Sequence, residues 1–326
     1  MGICIACFTR DLAGALGLHN VSTVQYIRPE LIGITIGATI SAIISKEFNP
    51  KGGSAPVIRF FLGFFSMIGT LVFLGCSWRT LLRIAGGDIN AIFGIIGIVI
   101  GGGIGVYFWN KDFSLGQSKN YSNKVIGLIP FFISIFLLIL LIVKIKFSEN
   151  GAIFFSESGP GSMKAPIIIS LIISIIIGII AQKSRFCTIS GIRDSIFLKD
   201  FHMFKGVIAF ILAAFIVNII TNRFNLSMYN QPIAHTNIIW NIVSMILASL
   251  AFTLGSGCPG RQFIQASEGN MDSFIFIIGT LVGAAFSHNF NLASSTNGPT
   301  IYGMWAVIIG ILFCILVGFT MKESKS

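Results

Sequence analysis

Cysteine and arginine recur together at a fixed spacing in this chain. The segment Gly75-Cys76-Ser-Trp-Arg79 aligns with Gly257-Cys258-Pro-Gly-Arg261 at a shift of 182 residues, and the alignment continues without a gap to Gly101 and Gly283. Proline suits the first position of a helix, and the neighbouring glycines allow a sharp entry. We therefore predict that Cys258 caps a helix and that Cys76 occupies the equivalent place. Free N–H groups and the helix dipole favour an anion at such a start.

A second, shorter match brings the same two residue types together. At a shift of 183 residues, Cys4 with the later pair Arg10-Asp11 aligns with Cys187 and the later pair Arg193-Asp194. The arginines are candidates for binding an anion beside the cysteines. The Arg-Asp pairs are equally consistent with structural ion pairs, and the sequence leaves both interpretations open.

The repeated thiols narrow the kind of anion. Arginine and backbone N–H groups suffice for a hard oxyanion such as phosphate or sulfate, whereas a thiol adds a polarizable sulfur and a weak S–H donor. We expect a cargo with soft sulfur or selenium, and we expect no catalytic residue, metal or cofactor. The candidate binding and pathway residues are Cys4, Cys76, Cys187, Cys258, Arg10, Arg79, Arg193 and Arg261.

Other interpretations of the cysteines stay open. A cysteine in an apolar helix is commonly a small hydrophobic residue, which is the expectation for Cys314. Six cysteines are too few and too scattered for a disulfide scaffold, so we expect free thiols. Cys4 and Cys7 nevertheless have the spacing of a thioredoxin-type motif, although Ser190 stands where the second half would need the second cysteine. The alternative function is a membrane thiol-disulfide oxidoreductase that uses Cys4 and Cys7.

The composition predicts a membrane protein that would hold these residues on helices. Hydrophobic residues make up 54% of the 326 residues and charged residues only 10%, against about 25% charged in ordinary globular chains. The apolar windows lack the alternation of a barrel strand and mostly reach the roughly 17–25 residues that span a bilayer as a helix. They are Leu31–Ser45, Phe60–Trp78, Ile89–Asn110, Val125–Val143, Ala165–Gln182, Gly206–Asn222, Thr236–Gly260 and Ser273–Met321.

The repeated motifs divide the chain into two membrane repeats, residues 1–150 and residues 164–326. The short segments 79–86 and 261–268 lie between spans, and we interpret them as re-entrant half-helices enclosed by protein. An odd number of crossings in each complete half then predicts an all-α polytopic membrane protein with two inverted repeats and a site near the midplane. The helix at 165–182 has no counterpart before Cys4: either the first repeat has lost it or the chain begins at an internal Met.

The charged residues predict an orientation. The net charge is +10, but the basic residues occupy loops between apolar spans, which fits a membrane topology better than nucleic-acid binding. Of the 22 Lys and Arg residues, 14 fall on the side that holds the C-terminus and eight on the other. By the positive-inside rule, we expect a multi-pass protein of a bacterial-type inner membrane with a cytoplasmic C-terminus.

The cysteine motifs resemble those of the YeeE/YedE family, and most closely its YedE branch of selenium transporters. The resemblance covers nearly the whole chain and implies an inverted-repeat membrane protein that takes up thiosulfate along a narrow central path of cysteines. It also implies action beside a small TusA-like sulfur-carrier protein. By position, the matching cysteines are Cys4, Cys76, Cys187 and Cys258. The cargo expected from it is a thiosulfate-like anion or a selenium compound.

Overall fold

The computed structural model describes residues 2–143 and 153–322, which form fifteen helices and one pair of two-residue strands. The strands β1 (Lys51–Gly52) and β2 (Lys119–Asn120) pair antiparallel. The helices are α1 (Ile5–Ala15), α2 (Pro29–Ile44), α3 (Pro56–Phe73), α4 (Ser77–Ala85), α5 (Asn90–Trp109), α6 (Lys124–Gly127), α7 (Ile129–Val143), α8 (Gly159–Ser162), α9 (Ile167–Ser184), α10 (Thr188–Phe197), α11 (His202–Ile220), α12 (Ile238–Leu254), α13 (Pro259–Ser267), α14 (Met271–Asn289) and α15 (Ile301–Thr320).

The described residues contain seven helical segments that are long and apolar enough to span a bilayer. Helices α2 and α7 are apolar but shorter. Aliphatic side chains cover the outer faces, and Ile168 and Ile220 remain more than 70% exposed, which suits contact with lipid tails. The chain is therefore an all-α polytopic membrane protein, as the composition predicts.

Two predicted windows have different boundaries in the structure. The window Ser273–Met321 contains two helices, α14 and α15, because an uncharged loop separates them. The window Phe60–Trp78 continues past the end of α3, where Leu74 adopts a left-handed conformation with φ 65° and stops the helix. Hydropathy alone does not detect a break made of apolar residues.

The half-helix α4 turns back toward the end of the helix before it. Arg83, near the end of α4, donates to the backbone carbonyl of Phe73 at 3.2 Å, and its guanidinium lies 4.4 Å from the Phe73 ring centre. Residues 74–76 thus lead the chain inward, and α4 leads it out again. In the second half, Ser256 takes the left-handed conformation with φ 69° just before α13.

The half-helices α4 and α13 end at opposite ends of the bundle. Helices α3 and α12 pack antiparallel, because Gly69 lies against Ser244 while Val72 accepts a hydrogen bond from His235, just before α12. The loops that precede these two helices therefore lie at opposite ends. The end of α4 bonds to the loop before α12 through Asn225, and the end of α13 bonds to the loop before α3 through Asn49.

Glycines allow the long helices to pack backbone against backbone. A Cβ atom at Gly97 of α5 would lie 2.4 Å from the carbonyl oxygen of Ile242 in α12. At the positions 182 residues later and earlier, a Cβ at Gly279 of α14 would lie 2.0 Å from the carbonyl oxygen of Phe60 in α3. The two halves therefore make the same contact in the same way. Close approach of small residues is what holds helices together in lipid.

We predict that Gly63→Ala destabilises the protein, because its Cβ would lie 2.1 Å from the carbonyl oxygen of Phe276 in α14. Overpacking of this kind costs about 1–3 kcal/mol, and the thermal unfolding midpoint of detergent-purified protein should fall. Gly206→Ala is the matched control, since its Cβ would meet the Phe186 ring at an ordinary 3.5 Å. Equal midpoints for the two variants would contradict this packing.

Candidate functional site

Each of the four candidate cysteines is the N-cap residue of a short helix. Cys4 caps α1, Cys76 caps α4, Cys187 caps α10 and Cys258 caps α13, and these helices are only 9 to 11 residues long. All four cysteines are buried. The sequence predicted the caps at Cys258 and Cys76, whereas nothing at Cys4 or Cys187 signalled a helix start.

Three of these helix starts meet in the middle of the protein. The thiols of Cys187 and Cys258 are hydrogen-bonded to each other, which joins the start of α10 to that of α13. The Trp78 ring of α4 lies 5.8 Å from the Phe186 ring, directly before Cys187. The same Trp78 ring covers Gly260 of α13, where a Cβ would lie 2.4 Å from it. We call this group of helix starts the central cluster, formed by residues 76–79, 186–188 and 258–260.

The start of α1 reaches the same region. Gly2, two residues before Cys4, packs against the Leu82 side chain of α4. Helix α1 also packs along α14, the helix that follows α13. The four cysteines thus begin four short helices that run outward from the protein interior.

Cys4 and Cys7 form a disulfide, so the expectation of free thiols is wrong for this pair. Cys4 also accepts a hydrogen bond from the Cys7 backbone N–H at 3.2 Å, which is the N-cap contact of α1. In the second half, Ser190 takes the place of Cys7 and its hydroxyl contacts the thiol of Cys187. The remaining cysteines, including Cys76 and Cys314, are free.

Three of the four candidate arginines are paired with carboxylates. Arg10 bonds Asp11 at 2.7 Å, and Arg193 bonds Asp194 at 2.5 Å while its guanidinium lies 4.2 Å from the Trp109 ring centre. The third pair joins Arg261 to Glu268 at 3.3 and 3.4 Å. The ion-pair interpretation of the Arg-Asp motifs therefore describes the resting arrangement of these side chains.

Arg79 differs from the other three. Its guanidinium donates to the backbone carbonyls of Pro232 and Ile233 at 3.0 and 3.4 Å, and its Nε has no hydrogen-bond partner among the described residues. It forms no salt bridge to a carboxylate within residues 2–143 and 153–322, although it is only 6% exposed. A buried cation that keeps its charge without a carboxylate is suited to an incoming anion.

Arg28 is a buried cation that the sequence motifs did not single out. It bonds the second carboxylate oxygen of Asp11 through Nε at 2.7 Å and donates to the Pro160 carbonyl at 2.9 Å. Asp11 therefore lies between two arginines, Arg10 and Arg28. Only tertiary structure brings Arg28 back to α1, so spacing along the chain could not reveal the contact.

We predict that Asp11→Asn is much more damaging than Asp194→Asn. Asp11 is fully buried and neutralises two guanidinium groups, whereas the Asp194 side chain is 19% exposed and pairs with one. Leaving a buried charge without its partner costs roughly 3–5 kcal/mol. Unfolding midpoints in detergent measure the difference, and similar losses in both variants would contradict the assigned role of Asp11.

Comparison with known proteins gives two matches. Residues 183–322, which include α10, α13 and the cysteines Cys187 and Cys258, match a family model described as sulphur transport. A stretch of 100 residues is 26% identical to the thiosulfate transporter TsuA of Spirochaeta thermophila. That match covers 30% of this chain and 29% of the relative, so the chain aligns with less than a third of it. The two matches support assignment of the chain to the YeeE/YedE family, whose sulphur-transport model covers the second half of the chain.

Proposed function

We propose that the protein is a membrane transporter that carries a small sulfur- or selenium-containing anion along a path through the central cluster. The observation that carries this proposal is that all four repeated cysteines cap helices which begin in the protein interior. The sulphur-transport family match and the thiosulfate-transporter relative support the sulfur class of cargo. The proposed path residues are Cys4, Cys76, Cys187, Cys258, Arg10, Arg79, Arg193 and Arg261.

The physical basis is the cost of placing an anion inside a membrane protein. Each helix start carries the equivalent of roughly half a positive charge and unpaired backbone N–H groups. Several starts directed at one region therefore lower the electrostatic cost of a desolvated anion there. Thiols at those starts add weak S–H donors and polarizable sulfur, which suit the terminal sulfur of thiosulfate or the selenium of its analogue.

The proposed direction follows the distribution of basic residues. The side with the C-terminus carries 14 of the 22 Lys and Arg residues and is proposed to face the cytoplasm of a bacterial-type cell. Helices α1 and α4 run toward the opposite side, so Arg79 is proposed to meet the anion first. Cys187 and Cys258 then deliver it toward α10 and α13. A small TusA-like sulfur carrier on the cytoplasmic side is the proposed acceptor.

Uptake of labelled thiosulfate by proteoliposomes that contain the purified protein tests this function. We predict that Cys76→Ala and Cys258→Ala each lower the initial rate at least about tenfold, the effect of ~1.4 kcal/mol. Cys314→Ala is the matched control, because Cys314 is equally buried but lies in the apolar helix α15. Labelled selenosulfate, in a parallel assay, tests whether selenium is carried.

Two results would contradict the proposal. Absence of uptake by correctly folded wild-type protein would remove the transport function. Equal rates for wild type, Cys76→Ala and Cys258→Ala would leave transport but exclude the cysteine path. Loss of rate in Cys314→Ala as well would indicate that cysteine replacement damages the fold rather than the path.

The Cys4–Cys7 disulfide supports a second candidate function, thiol-disulfide exchange at the membrane. An oxidoreductase needs both sulfurs of the pair, whereas a transporter needs only the Cys4 thiol, because Ser190 stands at the position of Cys7 in the second half. The two functions therefore make opposite predictions for one substitution.

We predict that Cys7→Ser preserves or increases thiosulfate uptake, since it frees the Cys4 thiol and reproduces the Cys187–Ser190 arrangement. Uptake by proteoliposomes and oxidation of an added dithiol by the same samples are measured together. Lost uptake in Cys7→Ser, together with dithiol oxidation by wild type that disappears in the variant, would favour the oxidoreductase.

A further inference from the structure

Three hydrogen-bond donors in the central cluster have no partner. The hydroxyls of Ser77 and Thr188 and the indole N–H of Trp78 are buried, and none of them has a hydrogen-bond partner within the part of the chain that the structure describes. Ser77 and Thr188 are fully inaccessible, and Trp78 is 3% exposed. Most buried polar groups are hydrogen-bonded, so three unpaired donors in one region require an explanation.

The donors lie beside the cysteines. Ser77 is the first residue of α4, directly after Cys76, and Thr188 is the first residue of α10, directly after Cys187. The Thr188 backbone N–H also contacts the sulfur of Cys258. Hydroxyl groups and thiols thus share the same helix starts.

These two helix starts are also the ones that the cap sulfur leaves open. Cys4 and Cys258 each accept a backbone N–H bond in their own helix, at 3.2 and 3.5 Å. Cys76 and Cys187 make no such cap bond. The starts of α4 and α10 therefore combine an uncapped backbone with an unpaired hydroxyl.

Other buried hydroxyls in the short helices behave differently. Thr80 of α4 donates to the Cys76 carbonyl at 3.0 Å, and Thr9 of α1 donates to the Ile5 carbonyl at 2.9 Å. This back-bonding is the usual way in which a buried helical hydroxyl is satisfied. Ser77 and Thr188 occupy the first position of their helices, which leaves their hydroxyl groups free for another acceptor.

We infer that Ser77, Thr188 and Trp78 bind the oxygen atoms of the cargo while the neighbouring thiols bind its terminal sulfur or selenium. This inference rests on the proposed transport function and specifies its substrate class. The cargo is a thio-oxyanion, which carries both acceptor oxygens and one soft atom. Hydrosulfide lacks the oxygens and sulfate lacks the soft atom, so each satisfies only half of the site.

The first test is the KM for thiosulfate uptake by proteoliposomes that contain Ser77→Ala or Thr188→Val. Each change removes one hydroxyl with little change in volume, and loss of a hydrogen bond to an anion should raise KM about tenfold or more. Thr188→Ser retains the hydroxyl and should stay within about twofold of wild type. Thr80→Val is the matched control, because the Thr80 hydroxyl already has a backbone partner.

A second test uses competition on detergent-purified protein. Sulfate and hydrosulfide are each titrated against bound labelled thiosulfate in wild type and in the Ser77→Ala variant. The potency of sulfate relative to hydrosulfide should fall about tenfold in the variant, because only sulfate needs the hydroxyls. A purely structural role of Ser77 would change both competitors equally and would overturn the inference.

The outcomes separate this inference from the function on which it rests. Wild-type uptake with an unchanged KM in both Ser77→Ala and Thr188→Val overturns the assignment of the oxygen site and leaves transport intact. Absence of wild-type uptake overturns the transport function, and this inference with it. If Thr188→Val does not fold, the Ser77→Ala result decides.

Discussion

The structure depends on the need to satisfy helix ends that lie inside a membrane protein. A helix that begins within the bilayer leaves backbone N–H groups without water, and each unsatisfied group is costly there. Four helices of this chain begin in the interior, and each begins at a cysteine. The long helices α3, α5, α12 and α14 must enclose them, and the glycine contacts between these helices make the enclosure tight.

Charge is distributed around these helix starts with the same economy. Asp11 lies between Arg10 and Arg28, so the first half keeps a buried excess of positive charge beside α1. Arg79 adds a buried guanidinium whose partners are backbone carbonyls. Such an arrangement stabilises an anion better than it stabilises an empty site, because the anion supplies the charge that the resting protein lacks. On the proposed function, binding and passage follow from this imbalance.

Sequence patterns predicted the membrane class and one cysteine-capped half-helix in each repeat. Pro259 marks the start of α13 directly, and the repeat transfers that assignment to Cys76. The caps at Cys4 and Cys187 were not predictable, since the residues that follow them, Ile5 and Thr188, carry no signal of a first helical position.

Contacts between distant segments were beyond any local pattern. The Arg28–Asp11 pair and the meeting of Trp78 with Gly260 arise only when separate helices pack. The unpaired state of the Ser77 and Thr188 hydroxyls likewise depends on what surrounds each helix start.

The most direct measurement is anomalous diffraction at the selenium edge from crystals of the protein bound to selenosulfate, in which selenium replaces the terminal sulfur. The account predicts a selenium peak in the central cluster, within hydrogen-bond reach of the Cys187 or Cys258 thiol. An ordered selenium peak elsewhere, with the central cluster empty, would contradict the claim that cysteine-capped helix starts hold the cargo.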